Sequence, residues 1–208
     1  MIETKRKILD TAERLIGEQG YSATSLRHII GEAGVNLAAV HYHFGSKEEL
    51  LDEVILRKAG PVNEIRLARL DQLEAESLTE PPPVGKVLEA FLLPMAEAAD
   101  RDPQFVKLMG RVLSEGLLHE MVQKHFQNVS RRFFGALQRA LPNLSEDEFR
   151  WRAHFMIGAM AHTMCGQMDP TGKGGATGSF QVRIRRLIAF LAGGFLAPGG
   201  SADRGQIT

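Results

Sequence analysis

The chain has 208 residues, with 25 Lys and Arg against 25 Asp and Glu for a formal net charge of zero, and 44% of it is hydrophobic. That balance fits an ordered globular protein of one large or two small domains and excludes a disordered chain, while the basic excess usual in a nucleic-acid binder is absent from the total. A single cysteine, Cys165, excludes an intrachain disulfide; the apolar runs are short and the N-terminus is charged and amphipathic, so neither a membrane span nor a signal segment is expected, and a cytoplasmic, reducing location is.

In chain order, Lys5, Arg6 and Lys7 cluster first, either as an arm along phosphates or as a solvated charge run. Residues 1 to 58 carry eight basic and nine acidic side chains, a net of −1. Thr24 or Ser25 can N-cap a short helix whose apolar positions are Leu26, Ile29, Ile30 and Ala33. Gly34 follows, where a left-handed backbone turns the chain, and Asn36 is placed to cap a second helix. Within that helix Val40 and Phe44 lie four apart and can pack on Ile29 and Ile30. Leu37, Ala38, Ala39, His41 and Tyr42 then project outward. Ser46 with Glu49 is a capping box, and Lys47 stands at the positive end of the helix it opens, where a phosphate is well received. A helix, a glycine turn, a second helix and a capped third helix are the layout of a DNA-reading helix-turn-helix.

The opening KRKILDTAERLIGEQGYSATSLRHIIGEAGV and the run NLAAVHYHFGSKEELL resemble the TetR family of bacterial one-component transcriptional regulators. The resemblance covers about the first 55 residues. It departs at Asn36, where the family usually has Ser or Thr, and at His41, where it usually has Tyr. The resemblance implies backbone contacts to DNA from Thr24, Ser25, Tyr42 and Lys47, with Asn36 as the cap of the reading helix. It implies base-edge reading by Arg27, Leu37, Ala38, Ala39 and His41. Phosphate contacts set register and groove contacts set sequence.

Beyond residue 50 the pattern stays helical. A helix from 48 to 58 is expected to be interrupted by Gly60 and Pro61 and to resume over 62–76. TEPPPVG at 79–85 reads as a loop, and 84–99 as a helix with Pro94 inside it. Asp102 followed by Pro103 opens a helix to about 116. Residues 119–141 form one long amphipathic helix, ended by Pro142. Ser145 with Glu148 is a second capping box, opening a helix to about Met168. DPTGKGGATG at 169–178 is a flexible loop, 180–196 the last helix, and the tail from 198 disordered. The chain therefore reads as all-α with about nine helices: a helix-turn-helix domain at 1–50, a helical regulatory and dimerisation domain at 51–197, and a tail at 198–208.

The helix from 145 is apolar on two sides. Phe149, Ala153, Met156, Ile157, Met160, Met164 and Met168 share one, and Trp151, Phe155, Gly158, His162 and Cys165 the other. It needs two partners, its own body and either a second chain or, in a monomer, further core. With Leu187, Ile188, Leu191 and Phe195 of the last helix, the second side forms the homodimer interface that the resemblance implies. Two reading heads would then meet successive major grooves about 34 Å apart on a near-palindromic operator.

The methionine stripe is either core or the lining of a cavity for a flexible apolar molecule. The run FRWRAHFMIGAMAHTM, with NLAAVHYHFGSK, resembles the fatty-acid-responsive branch of the family, which implies an acyl or similarly hydrophobic effector. Phe105, Leu108, Met109, Val112, Phe126, Phe133, Met156, Met160 and Met164 are then the lining. Arg111 is either its carboxylate anchor or a surface arginine. No enzyme motif is present: there are no catalytic residues, no cofactor is called for, and His119, His125, His154, His162 and Cys165 have no zinc-site spacing. The reading is thus a ligand-responsive, DNA-binding transcriptional regulator of repressor type. The alternative is a helical apolar-ligand binding protein without operator binding.

Overall fold

A computed structural model describes residues 2–77, 79–165 and 178–199, and among them there is no strand. The helices are α1 (Ile2–Gln19), α2 (Leu26–Ala33), α3 (Leu37–Phe44), α4 (Lys47–Glu76), α5 (Val84–Arg101), α6 (Pro103–Ser114), α7 (Leu118–Met121), α8 (Gln127–Arg139), α9 (Glu146–Cys165) and α10 (Phe180–Leu196). A π-helical turn, Val122–Phe126, joins α7 to α8, so the long helix expected over 119–141 is one irregular helix with a widened turn. Met168, all but the last residue of the loop expected over 169–178 and the tail beyond Gly199 lie outside the described residues, as do the side chains of His119 and Cys165.

Short-range chemistry sets the N-terminal helices. Ser25 accepts from His28 N, Gly34 ends α2 at φ 64° and ψ 36°, and Asn36 accepts from Ala39 N. Each cap satisfies a first-turn amide that the helix itself cannot. The capping box at α4 closes both ways, Glu49 N donating to Ser46 Oγ at 3.1 Å and Ser46 N to Glu49 Oε2 at 3.2 Å.

One expectation fails outright. Gly60 and Pro61 do not interrupt the chain, because α4 runs thirty residues from Lys47 to Glu76 with Pro61 inside it. A proline in a helix interior costs roughly 3 kcal/mol. Val54, Ile55 and Ala59 before it and Val62, Asn63 and Leu70 after it are all buried, and that packing holds the two halves in line. A single rod therefore runs from the head into the body, and a boundary at residue 50 falls inside it.

Two cores flank this rod. Ile8, Ala12, Leu15 and Ile16 of α1 meet Ile29, Val40, Phe44, Leu50 and Val54 in the first, and Leu108, Val112, Met121 and Phe126 enter it from the body. The second core is formed by α5, α8, α9 and α10 with the C-terminal half of α4. Ion pairs tie the two together. The buried Glu13 of α1 receives Arg57 at 2.6 Å and Lys58 at 2.7 Å, and Lys58 also bridges to Asp102, the N-cap of α6.

The end of α10 is closed from outside its own sequence. Arg152 of α9 is buried and its Nη1 lies 2.9 Å from Gly194 O, 2.8 Å from Phe195 O and 2.9 Å from Ala197 O. Its Nε and Nη2 donate to Glu148 Oε1 at 2.9 and 2.8 Å. A guanidinium thus satisfies carbonyls that a helix C-terminus leaves without partners.

Candidate nucleic-acid interface and body cavity

On α3 the inward pair is Val40 and Phe44, both buried. Leu37, Ala38 and His41 are exposed, Ala39 is half-buried, and Tyr42 is 74% exposed. Arg27 of α2 and the caps Ser25 and Asn36 are exposed as well. His41 Nδ1 lies 3.0 Å from Gly45 O, so part of its hydrogen-bonding capacity is used at the end of its own helix.

Two side chains of that face differ from expectation. Thr24 is only 1% exposed, and its hydroxyl donates to Gly20 O at 2.7 Å. It is a buried turn residue rather than a phosphate contact or a helix cap. Lys47 does stand at the first turn of α4, but its Nζ donates to Tyr21 O at 2.6 Å and lies 3.9 Å from the centre of the Tyr21 ring. Partial burial lowers its pKa despite Glu48 and Glu115 nearby. The ammonium is anchored to the turn before α2 and presents its remaining donors from a fixed position. Tyr21, which sequence reasoning passed over, also donates to Glu48 at 3.1 Å; burial and then Glu48 push its hydroxyl up to about 12.

The same turn is gripped by the body. Glu115, just past α6, accepts from Tyr21 N at 2.9 Å, Ser22 N at 2.9 Å and Ser22 Oγ at 2.8 Å. The backbone at Gly20 has φ +94°, and a Cβ there would stand 2.2 Å from Glu115 Oε1, so glycine is needed on both counts. Burial raises the Glu115 pKa, but the two Ser22 donors, the Tyr21 amide and Arg111 outweigh it and leave the carboxyl below its ordinary 4.5. A depressed carboxyl contributes stability that is fully present above its unfolded value and is lost as pH falls through the folded one. Glu115→Gln should therefore cost about 1.5–3 kcal/mol at pH 7, the range for hydrogen bonds to charged groups. In urea unfolding the difference from the parent should shrink below pH 4.5; a pH-independent difference would mean that the charge is not what holds the turn.

The body contains an apolar cavity of about 150 Å³. Its walls are Ala59, Val62, Asn63 and Arg66 of α4, Phe91 and Met95 of α5, and Phe105, Met109 and Leu113 of α6. Phe126, Val129, Ser130 and Phe134 close it from the π-turn and α8, and Met156, Ile157, Met160 and Met164 from α9. Of the residues expected to line it, Phe105, Met109, Phe126, Met156, Met160 and Met164 do. Leu108 and Val112 do not, since on α6 they lie on the opposite face and pack into the core of the head. Phe133 packs on Phe91 and borders a narrow adjoining cleft. Arg111 is exposed and donates to Glu18 O at 3.1 Å, so it caps α1 instead of anchoring a ligand. The cation in the wall is Arg66, which the interrupted reading of α4 concealed.

On α9 the side away from the core is open, as its two-sided pattern requires: Trp151, Phe155, Gly158 and His162 are exposed. On α10 the expected interface residues are on the wrong face. Leu187, Ile188, Leu191 and Phe195 are buried in the body, α10 lying against α5. At 100° per residue they form one stripe with Ile184, and the opposite stripe carries Val182, Phe190 and Leu196 as its exposed large apolar residues. Phe190 is 71% exposed and Phe155 61%. Among the described residues no helix is long and apolar enough to cross a membrane.

Residues 8–54 match the family model described as bacterial regulatory proteins, tetR family, and residues 89–194 that of the tetracyclin repressor-like C-terminal domain. The chain is 26% identical over 152 residues to the HTH-type transcriptional regulator AcrR of Shigella flexneri, a match covering 69% of this chain and 65% of that protein. It is 27% identical over 176 residues to the HTH-type transcriptional regulator CymR of Pseudomonas putida, covering 81% and 82%. Its fold is similar to that of a TetR-like transcriptional regulator from Rhodococcus sp. RHA1, with a TM-score of 0.59 at 15% identity over 92% of this chain and 93% of that one.

Proposed function

The chain belongs to the TetR family of bacterial regulatory proteins, and we propose that it acts as a homodimeric repressor, released from a near-palindromic operator by a small apolar ligand in its body cavity. The observation that carries the DNA half of this reading is α3 itself. Val40 and Phe44 are turned into the core, while Leu37 and Tyr42 stand exposed on a helix capped at both ends. A rigid helix that buries one side and offers small and aromatic groups on the other suits a major groove. Ser25, Arg27, Leu37, Ala38, Ala39, His41, Tyr42 and Lys47 are the contacts assigned to it, with Asn36 as the cap.

The ligand half rests on the sharing of two helices between cavity and head. α4 begins at Lys47 and lines the cavity at Ala59 to Arg66. α6 lines it with Phe105, Met109 and Leu113, packs Leu108 and Val112 on the head, and leads to Glu115. A ligand that prefers one arrangement of these two helices changes the separation of the reading heads, and weakens DNA binding by its differential affinity. The run FRWRAHFMIGAMAHTM suggests an acyl ligand. A cavity of about 150 Å³ matches the size that takes a single benzene ring, so a compact apolar group enters directly and a long chain only after methionines swing aside.

The test is fluorescence anisotropy on duplexes tiled across the DNA flanking the gene, at fixed salt with a scrambled control. Saturable binding to one near-palindromic segment is expected. Lys47→Ala should weaken it about equally on all sequences and lower the salt slope by about one, whereas Leu37→Ala should change the preference among operator variants. Binding no stronger than to the control would leave a ligand-binding protein whose head does not read DNA; unchanged affinity in Lys47→Ala would refute the docking.

A further inference from the structure

The cavity wall holds one cation and no acid to balance it. Arg66 donates through Nε to Phe91 O at 2.7 Å and through Nη1 to Asn63 Oδ1 at 2.9 Å, and its guanidinium lies 4.2 Å from the centre of the Phe91 ring. Both acceptors are neutral, and among the described residues no carboxylate is paired with it. By contrast, Arg57, Arg69, Arg132 and Arg152 each meet Asp or Glu. Arg66 keeps an intermediate accessibility because part of its surface faces the cavity. Burial alone lowers its pKa, to about 10, so it remains a dehydrated cation at neutral pH. An uncompensated charge in such a place is costly unless something supplies the opposite sign.

We propose that the effector is a monoanionic carboxylate with a compact apolar body, its carboxylate meeting the Arg66 guanidinium beside Asn63 and Ser130 and its ring or short branched chain filling the methionine-lined remainder. The inference rests on the ligand-released reading above and narrows it. Two of the five guanidinium donors are used by Phe91 O and Asn63, and the planar fork left over suits a carboxylate. The lining carries a single formal charge, so a monoanion is neutralised where a phosphate dianion would not be. Phe91 under the guanidinium and the methionines of α9 leave the rest of the space to apolar atoms. Arg66 sits on α4, so an anion drawn to it acts on the helix that starts at the reading head.

The experiment is calorimetric titration of the full-length protein with matched pairs of probes, 4-ethylbenzoate against 4-ethylbenzyl alcohol and octanoate against 1-octanol. Release of operator by the same four compounds is followed in parallel. Each carboxylate is expected to bind about 10–100-fold more tightly than its alcohol, the range for a hydrogen bond to a charged group. Arg66→Met should abolish that preference and Arg66→Lys should retain part of it. Equal binding of acid and alcohol by the parent protein would overturn the anionic class while leaving an apolar cavity. No binding and no release by any of the four would overturn the ligand-released reading itself. A folded Arg66→Met that still prefers the acids would remove Arg66 from the site. Should that variant not fold, the parent's preference decides, with a 13C-carboxyl-labelled benzoate expected to stay ionised in the complex below its free pKa.

Discussion

A Phe155→Glu, Phe190→Glu variant is expected to sediment as a folded monomer and to bind a two-site operator on the order of 100-fold more weakly than its parent. Both side chains lie on the open sides of α9 and α10, 61% and 71% exposed, and the exposed Trp151 packs on Phe155 with ring centres 5.8 Å apart. Neither supports the body's own core, so the fold should survive. Exposed large aromatic groups of this kind are what a self-complementary two-fold interface uses as anchors. Placing four carboxylates across the two-fold would desolvate like charges against each other, and a single head would lose the advantage of meeting two half-sites at once. Leu187→Ala is the contrast. Leu187 is buried against the body, so its truncation should cost roughly 2–5 kcal/mol of stability and leave the dimer in place once folded. Sedimentation equilibrium with operator anisotropy separates the two, and a double-glutamate variant that remains dimeric at micromolar concentration would place the interface elsewhere.

The second large effect is expected at Arg152→Met, which should lower the unfolding free energy by about 3–5 kcal/mol, the usual result of removing one partner from a buried, hydrogen-bonded charge pair. Four carbonyls, those of Gly194, Phe195, Ala197 and Pro198, accept from this one guanidinium, and Glu148 balances its charge. Methionine fills similar space but donates nothing, so the end of α10 loses its partners and Glu148 its counter-charge. Arg152→Lys should recover little, because one ammonium cannot span the carbonyls and the carboxylate at once. Urea unfolding measures the loss, and hydrogen exchange should locate it in the last turns of α10. A loss under 1 kcal/mol would mean that water replaces the guanidinium at low cost.

Arg152 and Arg66 also mark where reading the sequence stops. Nothing in FRWRAHF says which of its two arginines turns inward, since the carbonyls that Arg152 meets lie more than forty residues away. Arg66 stood among charged neighbours in the segment expected to resume after Pro61, and Arg111 stood in an apolar helix. The inverse outcome, Arg66 in the cavity and Arg111 at the surface, follows from how α4 and α6 rotate against their neighbours.

The N-terminal helices and their order could be read from local residue patterns. Caps, a left-handed glycine, a capping box and the spacing of Val40 and Phe44 each act within a few residues, so Gly34, Asn36 and Ser46 state their own roles. The pattern of α9 likewise shows that it needs two partners, because a helix apolar on both sides cannot be satisfied by one. Long-range packing settles that α4 passes through Pro61, that Thr24 is buried, that α10 turns Leu187 inward and Phe190 outward, and that the one cation in the cavity wall is Arg66. Those outcomes depend on which of two chemically similar faces meets a distant helix. A choice of that kind is made by the sum of many long-range packing contacts, to which no local pattern of residues gives access.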